Sequence, residues 1–262
     1  MTGLWKAYAI RFASDPDRRE AQTFLGGAGG DGLSPFAYYA YLLHGPTGWV
    51  AVDTGATPET CAAYGKRSHG TLTDAMALLN VEPSTVRHVV QTHLHWDHAG
   101  QPGLFPAATF HMQAREMAYV TGSAMRHPVL RAGYRTADIA AHTDLLHEGR
   151  LSLHEGTVEL APGLVLHHAG GHTDGLQFVR LRTRRGWMVL ASDTVALRAH
   201  LERRVPFPAL YHVGDALDAF DRVLALADAP DLVIPAHDPW VMQTHRVLSD
   251  DSVVSLHDDR GE

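Results

Sequence analysis

One six-residue run constrains this chain more than any other feature, because it places four metal-binding side chains close together: His93-Leu94-His95-Trp96-Asp97-His98. Side chains two positions apart on an extended segment point to the same side, so His93 and His95 can bind one ion. Asp97 and His98 follow at the start of the next helix and can face a second ion. Imidazole and carboxylate ligands suit zinc and its first-row neighbours, and two such ions can share one water and deprotonate it near neutral pH. The run therefore predicts a two-metal centre.

The composition favours one large domain. The 262 residues, 45% of them hydrophobic, can bury a substantial core, and a single domain over residues 1–262 is the expectation. The formal net charge of −7 gives no electrostatic reason to expect nucleic acid or an anionic membrane as a partner. Single histidines are more often surface or core residues than ligands. We assign that ordinary role to several of the 19 histidines: His69, His111, His127, His142, His147, His154, His245 and His257.

The predicted location is the cytoplasm. Cys61 is the only cysteine in the sequence, so the fold does not depend on a disulfide within the chain or on an oxidising compartment. The first 20 residues lack the apolar core of a signal peptide. No apolar run reaches the roughly 18 residues of a membrane span.

Strand and helix patterns follow one another in an order typical of a layered domain. Residues 113–150 predict a helical and loop insertion, and the glycine-rich residues 24–35 predict a loop that is either a flap near the site or a plain surface loop. We expect two sheets packed face to face with helices outside, an α+β fold. Strands are predicted at 4–12, 36–43, 48–52, 86–91, 151–154, 157–160, 163–168, 175–182, 187–192 and finally 231–235, and helices at 71–79 and 214–227.

Three later residues have the positions that further ligands need. Each follows an apolar, strand-like run: His172 after 163–166, Asp193 after 187–190 and His237 after 232–234. Strand ends at one edge of a sandwich converge, and binding sites are commonly found there. With the four side chains of the run, they make seven candidate ligands.

The order of these residues resembles the metallo-β-lactamase-fold superfamily, whose pattern is His-x-His-x-Asp-His, a distal His, a bridging Asp and a final His. All seven positions are filled here, and the resemblance extends from Asp53-Thr54-Gly55 to His237. It implies the αββα four-layer sandwich of that superfamily. It also implies the role of each residue: His93, His95 and His172 hold the first metal, Asp97, His98 and His237 hold the second, Asp193 bridges them, and Asp53 orients a ligand imidazole from behind.

Within the superfamily the chain is most similar to the N-acyl homoserine lactonases, which open signalling lactones in quorum quenching. This similarity comes from the chain length, from HLHWDHAG, and from residues 204–208 (RVPFP), 211–215 (YHVGD) and 235–239 (PAHDP). It implies a metal-dependent carboxylic ester hydrolase with two divalent ions, zinc before manganese, iron or cobalt. A metal-bridging hydroxide would attack the lactone carbonyl. Asp97 and Asp193 are the implied catalytic residues, and Asp97 passes a proton to the leaving alkoxide.

One position departs from the lactonase pattern. In that family a tyrosine three or four residues past the bridging aspartate binds the substrate carbonyl, and here Ala196 and Leu197 stand there. Tyr211, His200 and His212 are the predicted alternative contacts.

Two other reactions of the same fold stay open: a thioester hydrolase of the glyoxalase II type and a mononuclear iron dioxygenase acting on persulfides. The acidic C-terminal tail argues against a glutathione thioester, which needs a basic docking patch. The dioxygenase would not need His98 and His237, both of which are present. The ligand types do not select one metal, and a homodimer is one alternative for the oligomeric state.

Overall fold

Two β-sheets with helices on their outer sides make up the chain. The structure is a computed structural model that describes residues 3–249 and 252–258. Its strands are β1 (Lys6–Asp15), β2 (Phe36–Gly45), β3 (Gly48–Val52), β4 (Arg67–Ser68), β5 (His88–Val90), β6 (Thr109–Gln113), β7 (Leu151–His154), β8 (Thr157–Ala161), β9 (Leu164–His168), β10 (Gln177–Thr183), β11 (Gly186–Leu190), β12 (Val233–Ile234), β13 (Arg246–Ser249) and β14 (Val253–Ser255). Its helices are α1 (Pro58–Ala63), α2 (Leu72–Leu78), α3 (Trp96–Ala99), α4 (Ala114–Val120), α5 (Pro128–Arg131), α6 (Thr136–His147), α7 (Arg198–Arg203), α8 (Val213–Leu226) and α9 (Trp240–Thr244). Across this described part of the chain, no helix has both the length and the apolar character that crossing a membrane requires.

The larger sheet runs in the order β13-β14-β1-β2-β3-β5-β6-β7, with β4 beside β1. The first eight residues of β2 are buried, as expected for a central strand with apolar layers on both faces. Strands β3, β5, β6 and β7 are parallel to one another. Their C-terminal ends therefore lie at the same edge of the sheet, and both Asp53 and the histidine run begin there.

The smaller sheet runs in the order β12-β11-β10-β9-β8. Strands β11 and β12 are parallel, with Val189 beside Val233 and Leu190 beside Ile234. Because parallel strands end on the same side, the residues that follow them, which include Asp193 and His237, emerge together.

Apolar side chains fill the spaces between the layers. Trp5 and Leu166 belong to the core between the two sheets. On the outer face of the larger sheet, α2 buries Met76. On the outer face of the smaller sheet, α8 buries Phe220 and Val223, which lie three positions apart on one side of the helix. The predicted αββα sandwich is confirmed.

The prediction for the C-terminal part of the chain, a final strand at 231–235, is wrong. The strand expected at 231–235 is reduced to β12, because Pro230–Leu232 forms a turn of 3-10 helix. Two further strands follow, and β14 pairs with both β1 and β13. Three of the four β13 residues are exposed and β14 is three residues long, so neither shows the alternation that marks a strand in a sequence. Strands β4 and β6 are likewise missing from the prediction.

The predicted insertion at 113–150 connects the parallel strands β6 and β7 and contains α4, α5 and α6. Parallel neighbours need a crossover, and this segment provides it. A hydrogen bond of 2.9 Å from Trp96 N to Gly133 O and a bridge between His95 and Tyr134 join it to the histidine run. The insertion therefore lies against the candidate site. The extent of the single domain, 1–262, stays a prediction.

Candidate metal centre

The seven predicted ligands meet at one edge of the two sheets. Each is delivered by a connection that follows a strand, where the backbone is free to turn its side chains inward. Six of the seven are buried and the seventh, His95, is partly buried. The connections and their ligands are the β5–α3 turn with His93, His95, Asp97 and His98, the β9–β10 loop with His172, the turn after β11 with Asp193, and the turn after β12 with His237.

The first group of ligand atoms comes from His93, His95, His172 and Asp193. His95 Nδ1 lies 3.0 Å from His93 Nε2 and 2.8 Å from His172 Nε2. Asp193 Oδ2 lies 3.1 Å from His172 Nε2 and 4.0 Å from His93 Nε2. Ligand atoms about 2.1 Å from a tetrahedral zinc ion are about 3.4 Å from one another. The spacings of this group fit one such ion.

The second group comes from Asp97, His98 and His237. Asp97 Oδ2 lies 3.4 Å from His98 Nε2 and 3.7 Å from His237 Nε2. His98 Nε2 is buried and has no hydrogen-bond partner among the residues that the structure describes. A buried nitrogen in that position is costly unless something binds it. This group too has the donors and spacing of a cation site.

Asp193 joins the two groups through its two oxygens. Oδ2 faces His172 in the first group, whereas Oδ1 lies 3.0 Å from His237 Nε2 and 3.3 Å from His98 Nε2 in the second. A carboxylate that gives one oxygen to each ligand group can bridge two ions about 3.5–4 Å apart, the separation typical of two-metal hydrolases. The residues therefore fit a pair of divalent ions.

The ligand imidazoles are oriented through their second ring nitrogens. His172 Nδ1 donates to Ala209 O at 2.6 Å, and His237 Nδ1 donates to Ala37 O at 3.1 Å. These bonds leave Nε2 of both rings without a proton and able to bind a metal ion. Ala196 O accepts a hydrogen bond from His237 N at 2.9 Å, which fixes the backbone of the same ligand.

Asp53 accepts a hydrogen bond from the second ring nitrogen of His98. Its Oδ2 accepts from His98 Nδ1 at 2.6 Å and from Thr92 Oγ1 at 2.8 Å. Its Oδ1 accepts from Thr92 N at 2.7 Å and from Gln91 Nε2 at 3.2 Å. Asp53 has a φ of 61°, a left-handed conformation that aspartate tolerates better than most residues. The structure thus brings Asp53 to the position that the sequence predicts.

The electrostatics of the centre favour cation binding. Burial, together with the neighbouring imidazoles, lowers the pKa of His93 far below its usual value and that of His95 to about 3, so both rings are neutral and can act as ligands. Burial alone would raise the pKa of Asp97 and Asp193, but the surrounding histidines lower it, and both are anionic. Burial also opposes protonation of His98, yet three nearby carboxylates raise its pKa above the usual value. A metal ion would displace that proton.

A cavity of about 210 Å³ lies over the ligands. Asp97, Asp193 and His237 are among the ligands that line it. Its walls come from separate parts of the chain: Val129 and Leu130 of the insertion, Phe36 and Tyr38 of β2, residues 207–210, and the cations Arg18 and Lys66. A small substrate can enter this space and reach the metal ligands.

Two of the predicted substrate contacts lie outside the cavity walls. Tyr211 is 45% exposed, and its ring packs on Tyr119. His212 is exposed at the start of α8, where its ring accepts a hydrogen bond from Asp215 N. Neither side chain is brought to the metal ligands.

The third predicted contact, His200, is a buried structural residue. Its Nδ1 accepts from Leu197 N at 3.1 Å, and its Nε2 donates to Thr23 O at 3.1 Å. Burial lowers its pKa to about 4. Ala196 and Leu197 are themselves buried in the core. The position of the lactonase tyrosine is therefore filled by packing side chains.

Glu116 is a site residue that the sequence analysis missed. It is fully buried on α4. Its Oε1 accepts from Leu94 N at 3.0 Å and Tyr134 Oη at 3.1 Å, and its Oε2 accepts from Thr173 Oγ1 at 2.6 Å and Gly175 N at 3.2 Å. These bonds hold the histidine run against the loop that carries the distal histidine. Its partners are distant in sequence, so no local pattern identifies it.

Gly133 is a second missed residue. A Cβ atom at this position would lie 2.5 Å from His95 Cδ2. Only glycine lets the insertion approach the His95 ring so closely. A lone glycine in a loop gives no sign of this contact in the sequence.

Together, the four-layer sandwich and the carboxylate-bridged ligand set at its strand ends define a two-metal protein of the hydrolase type. The chain belongs to the metallo-β-lactamase superfamily, whose family profile matches residues 33–237.

Relatives within this superfamily include lactonases. The chain is 28% identical over 239 residues to the N-acyl homoserine lactonase AttM of Azorhizobium caulinodans, covering 81% of this chain and 85% of that protein. It is 26% identical over 232 residues to the N-acyl homoserine lactonase AiiA of Bacillus thuringiensis subsp. kurstaki, covering 82% and 83% of the two chains. A crystal structure of a quorum-quenching N-acyl homoserine lactone lactonase has the same fold, with a TM-score of 0.77, 23% identity, and coverage of 94% of this chain and 97% of that one.

Proposed function

We propose that this protein hydrolyses lactones of the N-acyl homoserine type with the help of two divalent ions, preferably zinc. The observation that carries the proposal is the placement of Asp193 between two complete ligand groups, with one oxygen toward each. The curated relatives named N-acyl homoserine lactonases support the choice of substrate. The substrate cavity directly over the ligands supports a reaction at this centre.

Two ions bound here would supply positive charge for the carbonyl oxygen and would make a water acidic enough to lose a proton near neutral pH. Asp97 lines the cavity beside His98 and His237, and its lowered pKa leaves it ionised. Its carboxylate can accept the proton of the attacking water and pass it to the ring oxygen as the ester C–O bond breaks. The products are one carboxylate and one alcohol on the same molecule.

Tyr38 can take the place of the absent lactonase tyrosine. It lines the cavity, and its ring packs edge-on against His237 with centroids 5.0 Å apart. Its hydroxyl has no hydrogen-bond partner among residues 3–249 and 252–258. Burial, together with the charge of Asp97, raises its pKa, so it stays protonated and can donate. We assign to Tyr38 the hydrogen bond to the substrate carbonyl.

The alternatives differ in what they need from this site. A mononuclear iron dioxygenase does not require the second group, which is complete here. A thioester hydrolase of the glyoxalase II type would use the same ligands and is separated from a lactonase by its substrate alone. Zinc as the native metal, a cytoplasmic location and a homodimer remain predictions.

The proposal is tested with purified protein, elemental analysis and a proton-release assay. We expect two zinc ions per chain and release of acid from N-acyl homoserine lactones, with little or none from thioesters. Hydrolysis of glutathione thioesters without lactone hydrolysis would assign the glyoxalase-type reaction instead. A single iron per chain with oxygen consumption on a persulfide would contradict both hydrolases.

A further inference from the structure

Two cationic side chains line the substrate cavity beside the metal ligands. Arg18 follows β1, and Lys66 precedes β4. Their side chains are only 14% and 17% exposed, so both are largely removed from bulk water. A neutral lactone does not need either of them.

Arg18 is held rigidly in the cavity wall. Its Nε donates to Thr23 Oγ1 at 3.2 Å and its Nη2 donates to Gln22 O at 2.6 Å. The guanidinium lies over the rings of Phe36 and Phe207, 4.3 and 5.1 Å from their centroids. A planar cation fixed in this way is ready to bind a carboxylate without losing side-chain freedom.

In the part of the chain that the structure describes, Arg18 and Lys66 have only one carboxylate close enough to pair with. Asp15 lies 2.5 Å from Lys66 Nζ and 3.8 Å from Arg18 Nη1, so one carboxylate serves two cations. The two aspartates that line the cavity, Asp97 and Asp193, belong to the metal-ligand groups. Burial also lowers the pKa of Arg18, which reflects the cost of a charge that is only partly compensated. An anionic group in the cavity would complete this arrangement.

We infer that the substrate carries a carboxylate away from the ester that is cleaved, and that Arg18 and Lys66 bind it. This inference rests on the proposed lactone hydrolysis and specifies its substrate class. A purely apolar acyl chain would leave the excess positive charge of the wall without a partner, whereas an acyl chain that ends in a carboxylate supplies one.

The test compares two lactones that differ in one group. N-succinyl homoserine lactone ends in a carboxylate, and N-succinamoyl homoserine lactone ends in a neutral amide of nearly the same size. For the zinc-loaded wild-type protein we expect kcat/KM to be about tenfold or more higher for the carboxylate compound than for the amide compound. One charge-assisted hydrogen bond is enough for a difference of this size. Arg18→Met and Lys66→Met should each bring the kcat/KM values of the two lactones together, so that their ratio falls close to 1.

Arg203→Met is the matched control. Arg203 also lies over a phenylalanine ring, that of Phe24, at 4.4 Å and pairs with a carboxylate, Glu20, at 2.9 Å, but it is 45% exposed and does not line the cavity. We expect this variant to keep the wild-type preference. Equal kcat/KM values for the two lactones in the wild-type protein, or a preference that survives in both cavity variants, would overturn the inference and leave the lactonase proposal intact.

Binding provides a readout that does not depend on turnover. The γ-lactam analogues of the two compounds resist hydrolysis, and calorimetric titration into the zinc-loaded protein measures their Kd. We expect the carboxylated lactam to bind about tenfold more tightly than the amide, and this difference to disappear in Arg18→Met. Binding of this kind without hydrolysis of either lactone would support the anion site and refute the proposed reaction. Equal binding of both lactams would refute the anion site.

Discussion

Replacing Asp53 with asparagine is expected to weaken binding of the second metal ion and to leave binding of the first unchanged. The carboxylate accepts four hydrogen bonds, two from Thr92 and one each from His98 and Gln91. Asparagine has one oxygen and one NH2 group, so it cannot accept all four. If its NH2 faces His98, then Nδ1 must give up its proton, the proton moves to Nε2, and the ring can no longer bind through that atom. If its NH2 group takes the place of Oδ1 instead, it faces two other donors, Thr92 N and Gln91 Nε2, and no hydrogen bond forms with either.

The expected loss of zinc affinity follows from what hydrogen bonds to the second nitrogen of a metal-binding histidine contribute. Loss of the partner of a metal-binding histidine typically reduces metal affinity or activity about 10- to 100-fold, which is about 1.4 to 2.8 kcal/mol. The backbone should be undisturbed, because asparagine tolerates the left-handed φ of 61° as well as aspartate does. We therefore expect loss of metal rather than loss of the fold.

The assay is zinc content after equilibration with graded concentrations of a chelator, followed by elemental analysis. As the chelator lowers the free zinc concentration, Asp53→Asn should lose one zinc per chain and keep the other. We expect that loss at a free zinc concentration about 10- to 100-fold higher than the one at which the wild-type protein loses the same ion. Asp138→Asn is the control, because Asp138 is buried but lies outside both ligand groups. If Asp53→Asn releases both ions at wild-type concentrations while circular dichroism shows a native fold, the orienting role of Asp53 is refuted.

Three further substitutions test the remaining assignments. Tyr38→Phe should lower kcat on lactones of the order of 100-fold, as loss of one carbonyl-binding donor does, with zinc content unchanged; wild-type kcat would remove Tyr38 from the mechanism. Gly133→Ala should push the His95 ring away and reduce kcat about 100-fold with loss of zinc; full activity would show that the insertion can move. His200 has a folded pKa of about 4, below its unfolded value, so its contribution to stability is present above pH 6.5 and is lost as the pH falls toward 4. The stability difference between wild type and His200→Gln in urea denaturation should thus shrink by about 2 kcal/mol from pH 7 to pH 5, and a constant difference would contradict the buried neutral ring.

The metal ligands could be predicted from the sequence because their signal is local. Four of them fall within six residues, and the other three each follow an apolar strand, so their meeting depends only on the strands ending at one edge. The αββα layers were predictable for the same reason, since β2 is a continuous apolar run and α8 is amphipathic, and both signals are local.

The residues that escaped prediction depend on contacts between distant segments. Glu116 holds Leu94 and Gly175, which are 22 and 59 positions away. Strand β14 is stable through its pairing with β1, at the opposite end of the chain. His200 is one of the predicted substrate contacts, but its two ring nitrogens bond to the backbone of Leu197 and Thr23. Such pairings arise from tertiary structure and leave no spacing pattern to find.

The bridging position of Asp193 is tested most directly by anomalous diffraction at the zinc edge from crystals of the zinc-loaded protein. Two peaks about 3.5–4 Å apart are expected, one beside His93, His95 and His172 and one beside Asp97, His98 and His237, with Asp193 giving one oxygen to each. A single peak, or two peaks with Asp193 bound to only one of them, would contradict the two-metal centre.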